Sequence, residues 1–186
     1  MSAPPIQRPE PGEYSPYYQS YLAGLPAGDI LALLDAQRGE TRATLGVLTA
    51  RQSGFRYGAG KWSIKEVVGH VIDVERVLVY RALRFSRADA TPLPGFEQDD
   101  YVAGGNFGSR ALADLLEELA VVRAGTLALF RGMSPEMLAR RGTANEATMS
   151  VRAVPWIILG HERHHLDIIR DRYLVADEPP ERGDGW

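Results

Sequence analysis

A chain of 186 residues with 45% hydrophobic and 24% charged residues has the balance of a globular domain large enough to bury a core. Its net charge of −3 lacks the basic footprint of a nucleic-acid binder, so no nucleic-acid partner is expected. It contains no cysteine, which excludes disulfides, a cysteine nucleophile and thiolate metal ligands, and leaves imidazole or oxygen to hold any metal.

Residues 1–28 are rich in proline, glycine and tyrosine. Pro4, Pro5, Pro9 and Pro11 stand where a signal peptide would need an apolar run. The stretch Ala153 to Leu159 is far too short to span a bilayer, so a cytoplasmic location and no membrane partner are expected. The clustered Tyr14, Tyr17, Tyr18 and Tyr21 predict an irregular arm packed on the rest of the domain through its rings. Asp29 is a good N-cap and opens a first helix to about Ala50. Its inward stripe reads Ile30, Leu33, Leu34, Gln37, Thr44, Leu45 and Leu48.

The glycine-containing stretch Arg51 to Lys61 is a connection. Ser63 followed by Glu66 is a capping-box signature, predicting a second helix over Ile64–Ser86. Val67, Val68, Val71, Ile72, Leu78 and Ala82 are spaced along it as an apolar face. Arg76, Arg81, Arg84 and Arg87 are expected on its solvated side. Arg87 to Gly108 is a long polar loop, of the length that is often functional. Ser109 is expected to cap a third helix to about Arg131, and Ser134–Pro135 to open a short helical turn. A second polar loop, Arg141 to Met149, leads to Ser150 and a fourth helix ending near Leu174. No strand stands out. The fold class expected is all-α, a four-helix bundle with long connections over residues 29–174, followed by a polar tail, 175–186.

Chemistry concentrates in Gly160-His161-Glu162-Arg163-His164-His165. At helical periodicity, His161 and His165 lie about 40° apart on one face, within the apolar stripe of Val154, Ile157, Ile158, Ile168 and Ile169. An i, i+4 histidine pair lets two imidazoles reach one metal ion. A buried imidazole without a partner costs on the order of 1–3 kcal/mol, and a shared ion would satisfy both rings. The zinc-protease motif itself is absent, so Glu162 is not expected to act as its helical base. His70, beside the apolar face of the second helix, completes a trio of the kind found in catalytic metal sites. His164 lies off the stripe centre and reads as a rim residue. Glu75, at the centre of the second helix's apolar face, could be a fourth ligand, an acceptor for a ligand histidine, or the partner of a buried arginine. Asp99, Asp100, Tyr101 and Asn106 are candidates for substrate orientation or proton transfer.

At these residues the sequence resembles the DinB/YfiT-like family of four-helix-bundle metalloproteins. The resemblance runs from about Arg8 to Leu174. It rests on Gly60-Lys61-Trp62-Ser63-Ile64-Lys65-Glu66 with Gly69-His70, on Tyr80-Arg81-Ala82, on Pro94-Gly95-Phe96, and on Gly160-His161 with His164-His165. It implies that His70, His161 and His165 bind one divalent metal ion, with zinc or nickel the first expectations. It further implies a small-molecule substrate, a low-molecular-weight thiol among the partners, and a homodimer. The activity expected is that of a metal-dependent thiol S-transferase or hydrolase. The alternative is a non-catalytic metal-binding or sensing protein whose ion ties helices together.

Overall fold

The computed structural model describes residues 5–174. In chain order the helices are α1 (Gln19–Leu22), α2 (Ile30–Leu45), α3 (Ala50–Ser53), α4 (Ile64–Ser86), α5 (Gln98–Gly104), α6 (Leu112–Arg131), α7 (Pro135–Ala139) and α8 (Ala153–Ile168). A hairpin of β1 (Arg141–Ala144) and β2 (Ala147–Ser150) precedes α8, and a π-helical stretch, Ile169–Tyr173, continues it. The four long helices form the bundle. α4 and α2 each pack against both α6 and α8, which places α2 and α4 across the diagonal from one another.

Local chemistry sets the best-defined ends. The Asp29 side chain accepts from the Leu31 N–H and opens α2. Ser63 and Glu66 form the reciprocal capping box at the start of α4, whose span matches the sequence expectation. Other boundaries differ. α2 ends at Leu45, where Gly46 closes it, and Thr49 with Gln52 starts α3 through a second capping box. Ser109 does not cap α6: its hydroxyl donates to the Asn106 carbonyl within a 3-10 turn, and α6 begins at Leu112. The loop after α4 contains α5.

The expectation of no strand is overturned by the hairpin. Arg141 pairs with Ser150 and Ala144 with Ala147, while the Leu93 N–H donates to the Thr143 carbonyl at 3.0 Å. Strands this short leave almost no periodic signal. Asn145 and Glu146 make the turn with φ of 49° and 60°, the left-handed pair that a two-residue hairpin demands. The N-terminal arm is partly helical. It buries Ile6, Tyr14, Leu22 and Leu25 in the core. The expected tail, 175–186, lies outside the described residues.

The core has two apolar halves. One gathers Leu34, Leu78, Phe85, Phe130, Met149 and Trp156. The other gathers Leu45, Ile64, Val68, Leu115, Leu166 and Tyr173. Between them, each long helix contributes buried polar side chains at one level. Gln37 and Thr41 come from α2, His70 and Glu75 from α4, Arg123 and Thr126 from α6, and His161 and Glu162 from α8. A polar layer thus crosses the bundle between two apolar clusters.

Candidate metal centre

In this layer the expected histidines converge. The Nε2 atoms of His70 and His161 are 3.1 Å apart, and those of His161 and His165 are 3.2 Å apart. One ring nitrogen from each of the three lies within 4.8 Å of the others. His70 and His161 are buried, His165 partly so. Burial pushes His70 down to about 4, partly opposed by the charge of Asp99. Burial and the neighbouring imidazoles push His165 down to about 3 and His161 well below its ordinary value. The rings are therefore held neutral, the form in which imidazole binds a metal.

The donor set fits a divalent cation. Nitrogens held about 2.0–2.1 Å from a tetrahedral zinc ion stand roughly 3.3 Å apart, close to the two separations seen here. Without a cation, hydrogen bonds among neutral imidazoles satisfy such a cluster poorly, because each neutral ring carries a single N–H.

Each buried histidine follows a glycine that permits a close approach. A Cβ on Gly69 would lie 2.2 Å from the Phe107 ring, and one on Gly160 would lie 2.2 Å from the Tyr21 carbonyl oxygen. Trp62 then packs on His70 with ring centroids 4.9 Å apart. Tyr21 packs edge-on against His161 at 5.6 Å and on His164 at 5.1 Å. The capping-box segment and the N-terminal arm thus hold two of the rings.

The remaining candidates fall in different places. Glu75 accepts two hydrogen bonds from Arg123, at 2.9 and 2.8 Å, and one from the Thr126 hydroxyl at 2.6 Å. That is the buried-arginine partnership among the three alternatives. Arg123 also donates to Glu162 at 2.5 Å, and Thr41 donates to the other Glu162 oxygen. Sequence reasoning missed Arg123, and it considers Glu162 only as a protease-type base and not as part of a buried network. His164 is exposed, at the rim. Asp99, Asp100, Tyr101 and Asn106 are exposed on α5 and the turn after it, and the structure does not bring Asp100 into the histidine cluster.

A cleft of about 280 Å³ opens onto His70 and His161. Its walls come from the arm, α4, the segment entering α5 and the hairpin, with Tyr18, Phe96, Asn145 and Met149 among the lining residues. Arg81 also lines it and is 4% exposed, which corrects the expectation that this arginine lies on a solvated face. The arm and the loop before α5 cover it, and neither covering is visible from the periodicity of α4.

The family model of the DinB superfamily matches residues 33–169, and the chain belongs to that superfamily. Among curated proteins no sequence match is found. Solved structures share the fold, two of them being these. YfiT from Bacillus subtilis is described as a probable metal-dependent hydrolase with an unusual four-helix bundle topology. It is similar at TM-score 0.70 and 15% identity, over 80% of this chain and 88% of that one. The mycothiol-dependent maleylpyruvate isomerase is similar at TM-score 0.63 and 14% identity, over 78% of this chain and 62% of that one. No described helix is long and apolar enough to cross a membrane.

Proposed function

We propose that this protein is a metal-dependent enzyme acting on a small molecule, of thiol-transferase or hydrolase type. His70, His161 and His165 would hold one divalent ion, zinc or nickel. One observation carries the reading: the Nε2 atoms converge at 3.1 and 3.2 Å, and two of the three rings also line the cleft. The cleft's volume, near the lower end for small-molecule sites, supports a compact substrate. An ion bound there would supply Lewis-acid chemistry, polarising a carbonyl or favouring the deprotonated form of a water or thiol.

The chain's own residues prepare the place. Trp62 and Tyr21 pack the sides of the rings and limit water there. Arg123 occupies Glu75 and Glu162, so neither carboxylate is free to close the ligand shell. That favours the catalytic reading over one in which the ion only ties α4 to α8, because a structural ion takes a complete protein shell. With no cysteine in the chain, any thiol nucleophile belongs to a cosubstrate.

The test is elemental analysis of untagged protein, followed by assays of thiol transfer onto electrophiles with several low-molecular-weight thiols. The expected result is one ion per chain and an activity lost on chelation and regained with metal. His161→Ala is expected to lose both. Stoichiometric metal retained by that variant overturns the assignment.

A further inference from the structure

Among the described residues, two arginines are buried within or beside the polar layer, and they are treated differently. Arg123 is neutralised by Glu75 and Glu162. Arg81 has no ion pair among the described residues; its partners are the Pro94 carbonyl at 3.1 Å and the Tyr18 hydroxyl. Taking a guanidinium out of water without a counter-charge is costly, and Arg81 spends that cost on the wall of the cleft. Glu97, which lines the same cleft, is exposed and makes no ion pair with it.

The floor of the cleft is a single stripe of α4. His70, Val74, Leu78 and Arg81 all line it, at steps of four, four and three residues, so they share one face. Arg81 stands about 16 Å from His70 along the helix axis at 1.5 Å per residue. Long helical side chains lean toward the N-terminus, here toward His70. The cleft therefore has imidazoles at one end, an apolar middle formed by Val74, Leu78 and Met149, and a guanidinium at the other.

We propose that Arg81 is a specificity-determining residue that binds the carboxylate of an elongated substrate, whose apolar middle lies over Val74 and Leu78 and whose reacting group reaches the histidines. This names the substrate class and rests on the cleft being the binding site in the reading above. Arg81 would form charge-assisted hydrogen bonds with the carboxylate through donors that the protein leaves open.

Hexanoate and its neutral counterpart hexanamide test the idea by calorimetric titration into chelator-treated, metal-free protein. The wild type is expected to bind the acid at least tenfold more tightly. Arg81→Gln should abolish that preference and Arg81→Lys keep part of it, with circular dichroism and metal stoichiometry unchanged in both. Equal affinity for acid and amide in the wild type, including no binding of either, overturns the proposal, as does a preference that survives in Arg81→Gln. The wild-type comparison stands even if a variant fails to fold. Because the titration is metal-free, the carboxylate preference and the metal site fail or hold separately.

Discussion

Arg123 on α6 and Glu162 on α8 are joined at 2.5 Å with side chains only 1% and 2% exposed, and Glu162 immediately follows His161. The same guanidinium holds Glu75 on α4 and the Leu34 carbonyl on α2, so one side chain ties all four long helices at the level of the histidines. Arg123→Met leaves two buried carboxylates without their partner. The expected loss is about 3–5 kcal/mol, read as a lower urea midpoint at unchanged slope. Replacing Arg123, Glu75 and Glu162 together by apolar residues of similar volume should recover most of it. If the network sets the rotation of α8 beneath His161, that repacked protein regains stability but binds metal more weakly. Unchanged metal affinity would show that the network serves folding alone.

The hairpin turn carries a removable cost. Glu146 sits at φ 60°, a conformation roughly 1 kcal/mol unfavourable for a residue with a Cβ. Glu146→Gly should stabilise the protein by about 0.5–1 kcal/mol, with part of the gain offset by the freer unfolded chain. In a domain of this size that raises the melting temperature by roughly 1–4 °C. Asn145→Gly should not help, because Asn tolerates this region and its side chain packs closely over Gly95. A lower melting temperature for Glu146→Gly would mean that the Glu146 side chain holds the turn.

What was legible in the sequence follows the range of each interaction. Ser63 and Glu66 are three residues apart, so the start of α4 could be read directly. His161 and His165 are one turn apart, so their shared face could be read too, and His70 joined them through its place on a second helix. Arg123 meets its two carboxylate partners across long stretches of chain, with separations of 48 residues to Glu75 and 39 to Glu162. No local pattern announces such a layer. Arg81 was misread for a related reason, since the distant N-terminal arm and the loop that folds back before α5 cover its face of α4. Ser109 had the chemistry of a cap, but the turn from Asn106 used its hydroxyl first.

Glu13 gives the fold an acid-sensitive tie. Burial raises the affinity of its carboxyl for a proton, but hydrogen bonds from Arg152 and the Glu10 N–H, with the charges of Arg152 and Arg141, outweigh that and hold its pKa below the usual 4.5. A carboxyl with a lower pKa in the folded chain adds stability that is complete above the unfolded value and is lost as pH falls through the folded one. Glu13→Gln should therefore cost roughly 1–3 kcal/mol at neutral pH. The gap between wild type and variant should narrow as pH drops below about 4.5, measured by urea unfolding across an acid series. A constant gap would mean that Glu13 acts through packing instead of charge.

The glycines before His70 and His161 should respond differently to alanine, because different atoms oppose the new methyl. At Gly160 the obstacle is the Tyr21 backbone carbonyl, 2.2 Å from the Cβ position, which can yield only if α1 lifts away from α8. At Gly69 it is the Phe107 side chain, also 2.2 Å away, which can rotate about its own bonds. Overpacking of this kind costs roughly 1–3 kcal/mol, and Gly160→Ala should stand at the upper end. Its effect should also reach the candidate metal centre, since lifting α1 removes Tyr21 from the edge of His161. Competition with a chromophoric chelator should then show weaker zinc binding by Gly160→Ala than by Gly69→Ala. The reverse order would mean that Phe107 against α4, and not the N-terminal arm, sets the position of the imidazoles.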